Sequence, residues 1–257
     1  MRTVRTRTRT KAAAALAALA VLAAPAAAQA AVYPGPNGPQ WVGGAIEQEW
    51  LRLGGAPGEP LNSETPTPLR TGAYNDFTRQ AIYWSPGTGA HTVGGAFYGY
   101  WGAQGWENGP LGFPASNETG LRGGVMQQYE GGTLYYSPTT GAHQVRGRFY
   151  TLWDSLRWEQ GPLGYPASEP APAAAGGTFQ RFQHGAIYQQ ASSDEPYAIS
   201  GAFYPHWAAQ GYERGRLGYP TTSEVYYPGV VVQYFTGGTL YWTPCTGVTV
   251  DTYEYCG

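Results

Sequence analysis

Three segments set an aromatic ring beside a carboxylate in a short stretch closed by glycine: Gly105-Trp106-Glu107-Asn108-Gly109, Trp158-Glu159-Gln160-Gly161 and Tyr212-Glu213-Arg214-Gly215. A flat apolar ring can take the C–H face of a sugar, and a carboxylate can accept its hydroxyls, so Trp106, Glu107, Trp158, Glu159, Tyr212 and Glu213 are the candidate ligand-binding residues. The competing reading is that each aromatic folds back onto a neighbouring repeat and serves packing. Catalytic chemistry has less to stand on. The histidines are His91, His143, His184 and His206, and the first two occupy equivalent places in different repeats. Neither a Gly-x-Ser-x-Gly elbow nor a His-Glu-x-x-His zinc motif occurs. Glu107 and Glu159 can be imagined as a glycosidase pair, but they too are separated by a repeat. The expectation is a non-enzymatic protein with no catalytic residue, no cofactor and no metal site.

Those segments recur because the chain does. Trp50, Trp101, Trp153 and Trp207 are spaced by 51, 52 and 54 residues, and Ile82, Leu134, Ile187 and Leu240 run in step at 52, 53 and 53. Each Trp follows a glycine six residues earlier, at Gly44, Gly95, Gly147 and Gly201. A fixed period of this length implies units that stack or close on one another. Four units are expected, at about 41–93, 94–145, 146–200 and 201–257, forming a single domain over 31–257.

After the Trp, three units read Gly-Pro-Leu-Gly-Phe-Pro (109–114), Gly-Pro-Leu-Gly-Tyr-Pro (161–166) and Gly-Arg-Leu-Gly-Tyr-Pro (215–220), each followed by a glutamate, Glu118, Glu169 or Glu224. The first unit is degraded: Glu59 stands where the others have an aromatic, and the aromatic-carboxylate segment is missing. On these motifs the chain resembles the LGFP-repeat proteins of actinobacterial cell envelopes, whose arrays occur alone or fused to mycoloyltransferases and peptidoglycan amidases. The resemblance covers essentially everything after residue 40. It implies an exported, non-catalytic module that is secreted or cell-wall associated and holds cell-wall polysaccharide, arabinogalactan or peptidoglycan, through weak repeated sites. Two further partners stay open: an envelope protein contacted by exposed tyrosines, or an envelope enzyme held in trans. An undetected wall hydrolase is the remote alternative.

The elements that must position these residues are short. Ala96, Phe97, Tyr100 and Trp101 fall at helical spacing between glycines, which predicts a helix of two or three turns over 95–104. Leu111-Gly112-Phe113-Pro114 then reads as a tight turn with Leu and the aromatic inward. Val125–Tyr129 and Thr133–Ser137 flank Glu130-Gly131-Gly132 as a hairpin, and Thr140-Gly141-Ala142-His143 leads to a last short strand. The fold class expected is an α+β repeat protein: helix, turn and hairpin, packed as a compact toroid or a short stack. One such unit cannot bury its own apolar face, so neighbours must. The four helix Trp and the Leu-Gly-aromatic-Pro turns are expected in the core. The glutamates after the turns are expected to accept backbone N–H groups.

Composition bounds the rest. Residues 1–30 carry five cations, an apolar run at 12–24 and small residues before Ala31, the pattern of a signal peptide cleaved after Ala30. Removing them leaves ten arginines against 17 acidic residues, an acidic protein with no basic stripe for nucleic acid. No transmembrane segment is expected after that cleavage. Cys245 and Cys256 are the two cysteines, and in an oxidising compartment they are expected to form a disulfide.

Overall fold

The computed structural model describes residues 31–253; the expected signal peptide and Cys256 lie outside them. Strands β1 (Ala31–Tyr33) and β2 (Gln40–Val42) form an antiparallel hairpin ahead of the first unit. Each unit is then one helix followed by one four-stranded antiparallel meander. Unit 1 holds α1 (Gly44–Arg52), β3 (Thr65–Pro66), β4 (Ala73–Asp76), β5 (Gln80–Ser85) and β6 (Gly89–Gly94). Unit 2 holds α2 (Gly95–Ala103), β7 (Thr119–Leu121), β8 (Gly124–Tyr129), β9 (Gly132–Ser137) and β10 (Gly141–Val145). Unit 3 holds α3 (Gly147–Ser155), β11 (Ala171–Pro172), β12 (Thr178–Phe182), β13 (Gly185–Gln189) and β14 (Pro196–Ser200). Unit 4 holds α4 (Phe203–Ala209), β15 (Val225–Tyr227), β16 (Val230–Phe235), β17 (Gly238–Thr243) and β18 (Gly247–Val250).

The expected helix, turn and hairpin are all present, with one strand more than the sequence implied. The added edge strands β3 and β11 are two residues long and each contains a proline, so they carry neither the alternation nor the length that marks a strand. The recurrent glycine six residues before each Trp has φ of 55, 51, 59 and 51° in the four units, a left-handed backbone that explains its recurrence.

Helices of seven to nine residues are too short to persist alone. They are held by the tryptophans. Trp101, Trp153 and Trp207 are fully buried, and each indole Nε1 donates to the glycine carbonyl of the next turn: Gly112 at 2.9 Å, Gly164 at 3.1 Å, Gly218 at 3.1 Å. In unit 1 the loop is shorter and Trp50 reaches Gly58 at 2.9 Å. Leu111, Leu163 and Leu217 are likewise buried, Pro114, Pro166 and Pro220 each bridge the last residue of their unit's second strand, and Pro60 bridges Phe77 just after β4.

The cores lie between units. Tyr83 and Val93 of the first sheet pack with Phe97 and Trp101 of α2 and Leu134 of the second sheet, and the same arrangement recurs between units 2 and 3 and units 3 and 4. Polar clamps reinforce each seam. The fully buried amides of Asn75, Gln127, Gln180 and Gln233 donate to the carbonyls of Trp41, Thr92, Gln144 and Ala198 on the preceding sheet, at 3.2, 2.6, 2.8 and 2.8 Å. The N–H of those same four residues is accepted by Ser63, Asn117, Glu169 and Ser223, at 3.0, 2.8, 3.3 and 3.1 Å. Both backbone groups of one edge residue are thus satisfied by the next unit. At unit 1 the clamped residue is Trp41 of the amino-terminal hairpin. These links run in sequence order, and closure of the array into a ring is not among them.

The glutamates after the turns do not all accept backbone N–H groups as expected: the Glu118 carboxylate makes no hydrogen bond among the described residues, and burial raises it. Glu169 belongs to the clamp just described. Glu224 accepts Ser200 N–H at 3.1 Å and its hydroxyl at 2.7 Å, and Glu64 accepts Gly43 N–H. Cys245 is not a free thiol, and its expected partner lies outside the described residues.

Candidate functional site

The three aromatic-carboxylate segments are 3-10 turns, Trp106–Asn108, Trp158–Gln160 and Tyr212–Arg214, each directly after a unit's helix. Every one opens on two successive left-handed residues. Gly105, Arg157 and Gly211 have φ of 95, 74 and 91°, and Trp106, Trp158 and Tyr212 follow at 56, 50 and 57°. A bulky ring at positive φ costs about 1–3 kcal/mol unless its surroundings hold it, and such backbone clusters at binding sites. In unit 1 glycines fill both places, Gly54 at 61° and Gly55 at 73°, so the backbone is kept where the ring is not.

Each turn faces the sheet of the preceding unit. The cleft between units 3 and 4 is the clearest case: a cavity of about 300 Å³ lined by Phe179, Arg181 and Tyr188 of the third sheet and by Tyr204, Tyr212, Glu213 and Arg214 of the fourth unit. Tyr212 is 39% exposed and meets Trp207 edge-on at 5.6 Å. Glu213 Oε1 accepts Ala174 N–H at 3.0 Å, which ties the carboxylate to the loop 173–177, and Arg214 Nε lies 3.8 Å from the same oxygen. Tyr219 donates to the Ala174 carbonyl and holds that loop from the other side. Burial raises the hydroxyls of Tyr188 and Tyr204, which therefore stay protonated hydrogen-bonding groups.

The other two segments differ in how their rings sit. Trp106 is drawn inward, 4.6 Å from Tyr98 and 5.4 Å from Trp101, and Glu107 beside it is buried, its Oε1 accepting Asn108 Nδ2 at 2.8 Å. A Cβ on Gly102 would come within 2.7 Å of the Trp106 indole, so the ring lies flat on the helix only because that residue is glycine. Unit 3 has Asp154 at the equivalent place, and Trp158 is 40% exposed. Its neighbour Glu159 lines an open cavity of about 580 Å³ with Arg122, Arg157, Tyr165 and Gln183. Of the six residues expected from the sequence, Trp158, Glu159 and Tyr212 therefore face accessible space, Glu213 lines its cleft with its carboxylate mostly covered, and Trp106 and Glu107 pack.

Sequence reading did not find the rest of the cleft lining, Asp76 with Tyr98 between units 1 and 2 and Arg181 with Tyr204 between units 3 and 4. Tyr98, Tyr150 and Tyr204 stand three residues before each Trp, and Asp76, Gln128 and Arg181 one residue before each buried Phe or Tyr of the second strand. Their signal was the same period, but helix and strand positions were read as packing. The recurrent His91 and His143 donate from Nε2 to carbonyls of their own turns, Thr88 at 2.8 Å and Thr140 at 2.9 Å, which explains their equivalence.

Among known families, the model described as LGFP repeat matches four times, at residues 57–109, 111–161, 163–215 and 217–252. Each frame begins at a Leu-Gly-aromatic-Pro turn or its degraded counterpart, and the first three close on the aromatic-carboxylate segment or just after it. No curated protein matches the chain.

Proposed function

The chain belongs to the LGFP-repeat family, and from that premise we propose that it is an exported, non-catalytic module that binds cell-wall polysaccharide at the clefts between its units. The observation that carries this reading is the pair of exposed rings, Trp158 and Tyr212, each held at positive φ beside a glutamate on the rim of a cavity. In units 3 and 4 the strained residue carries a ring left exposed, which points to a task beyond packing, because the backbone alone is met by the glycine seen in unit 1. The rings supply an apolar platform, and the carboxylates and tyrosine hydroxyls supply acceptors and donors for sugar hydroxyls. Each site is shallow and individually weak, so repetition along a polymer would supply avidity.

Absence of catalysis is part of the same proposal. It is supported by the recurrent histidines serving their own turns and by the glutamates serving backbone clamps. Of the two arrangements expected for the units, the stack is the one we favour, because Trp41 already occupies the clamp of unit 1 that a ring-closing strand would need.

The test is cosedimentation of the protein lacking residues 1–30 with isolated walls. Trp158→Ala with Tyr212→Ala should reduce the bound fraction severalfold while far-ultraviolet dichroism and melting stay unchanged. Trp106 is left alone because it packs. Prior digestion of the polysaccharide should abolish binding. Binding that survives digestion would favour the other reading, a scaffold for an envelope protein, for which the exposed Tyr226 and Tyr227 offer a surface.

A further inference from the structure

The clefts between units differ in charge. One residue before the buried Phe or Tyr of the second strand stand Asp76, Gln128 and Arg181, an anion, a neutral amide and a cation, of which Asp76 and Arg181 line the first and third clefts. In the first cleft Asp76 is occupied, with Tyr98 hydroxyl 3.4 Å from Oδ1 and Asn62 Nδ2 3.3 Å from Oδ2. The neighbouring Arg79 is turned away to the carbonyls of Ala56 and Gly55, at 2.8 and 3.2 Å. In the third cleft Arg181 is unengaged. Among the described residues its guanidinium has no carboxylate within ion-pairing distance and makes no hydrogen bond, while its backbone N–H donates to Ser168 Oγ and its carbonyl accepts Ala167 N–H.

The remaining charges around that cleft are Glu213 and Arg214. The glutamate is mostly covered, its Oε1 taken by Ala174 N–H, and Arg214 sits over it with its side chain 76% exposed. The cleft is therefore net positive in a protein whose described part is acidic. An arginine left unpaired beside tyrosine rings presents a planar fork of donors that matches a carboxylate.

We infer that the cleft between units 3 and 4 selects an acidic saccharide, with Arg181 as the group that receives the sugar carboxylate, while Tyr212 and Tyr204 take the ring. This rests on the saccharide-binding reading above and specifies its ligand at one site. The other two clefts, with Asp76 and Gln128 at the corresponding place, do not share the preference. Burial raises the Tyr204 hydroxyl and the charge of Arg181 opposes that shift, which fits a guanidinium close to the ring.

The experiment is calorimetric titration of the protein lacking residues 1–30 with a hyaluronan tetrasaccharide and with the same tetrasaccharide after carboxyl reduction. The acidic form should bind about tenfold more tightly, the worth of one charge-assisted hydrogen bond. Arg181→Gln should collapse the difference to below about twofold and leave the reduced sugar's affinity unchanged. Arg148→Gln, on a residue engaged with Asp194 and Glu195, removes equal charge elsewhere and should leave the preference intact. Equal binding of the two sugars, or a preference that survives Arg181→Gln, overturns the inference and leaves the saccharide reading standing. If neither sugar binds while the protein still sediments with walls, the inference falls alone. If sedimentation also fails, both fall.

Discussion

The hydroxyl of Tyr129 donates to the side-chain carbonyl of Gln127, 3.0 Å away in the buried seam between units 1 and 2. The other three seams have Phe77, Phe182 and Phe235 at that position, and the corresponding oxygens of Asn75, Gln180 and Gln233 have no partner. A buried amide oxygen without a donor costs about 1–3 kcal/mol. Tyr129→Phe should therefore destabilise the protein by about 1–2 kcal/mol, whereas Phe182→Tyr should stabilise it by up to about 1 kcal/mol. Denaturant midpoints of the two variants check the pair, and a stabilising Tyr129→Phe would contradict the assignment.

Removing the indole N–H alone tests how the turn is tied to the helix. Trp153→Phe keeps an aromatic in the core but leaves the Gly164 carbonyl unpaired and a small void, an expected cost of about 2–3 kcal/mol. Trp153→Ala should cost at least about 3–5 kcal/mol. Urea unfolding would show both, and a Phe variant as stable as the parent would mean that the bond contributes nothing.

Ring position is set by the residue after the helix Trp. Gly102→Ala should swing Trp106 off the helix, with a red-shifted emission and faster acrylamide quenching. Asp154→Gly should let Trp158 settle inward and lose accessibility. Single-tryptophan-sensitive quenching, read against Trp158→Phe, decides this. If Gly102→Ala leaves emission unchanged, the Cβ contact at 2.7 Å does not control the ring.

Much of this was legible in the sequence and some was not. The period, the helix around each Trp, the inward turn and the hairpin follow from apolar spacing and glycine, because those residues report burial directly. The clamp amides did not show themselves, since Asn75, Gln127, Gln180 and Gln233 lie in strands where a polar residue ordinarily marks a solvent face. Their signal was positional: each stands two residues before the buried Phe or Tyr. The split between Trp106 and Trp158 was likewise hidden, because it depends on the absent side chain of Gly102 four residues away.

Acid should loosen one seam through Glu130. Arg70 Nη1 lies 2.6 Å from Glu130 Oε2, and that carboxylate also accepts Phe113 N–H at 2.8 Å. The Arg70 guanidinium holds the Glu130 carboxyl below its ordinary range. A depressed folded-state value means that the stabilisation is fully present above the ordinary glutamate range and is lost as pH falls through the lowered one. Glu130→Gln retains an acceptor for the turn, as Gln183 does for Tyr165 in unit 3 at 2.9 Å. That variant should lose less than about 1 kcal/mol at neutral pH, since the pair is partly exposed, and should flatten the melting curve below pH ~4.5. An unchanged acid profile would show that another carboxylate governs it.

Because every seam offers one edge residue to two side chains of the next unit, the joints are interchangeable couplings. Residue identity at the coupled position varies from Trp41 to Thr92, Gln144 and Ala198, yet the grip common to all four is on its backbone. Genetic gain or loss of one whole period would thus leave mating surfaces on both sides of the scar, whereas an unequal exchange within a period would set a clamp against the wrong residue. The length of such an array can drift in whole units while the chemistry of its individual clefts is altered one residue at a time.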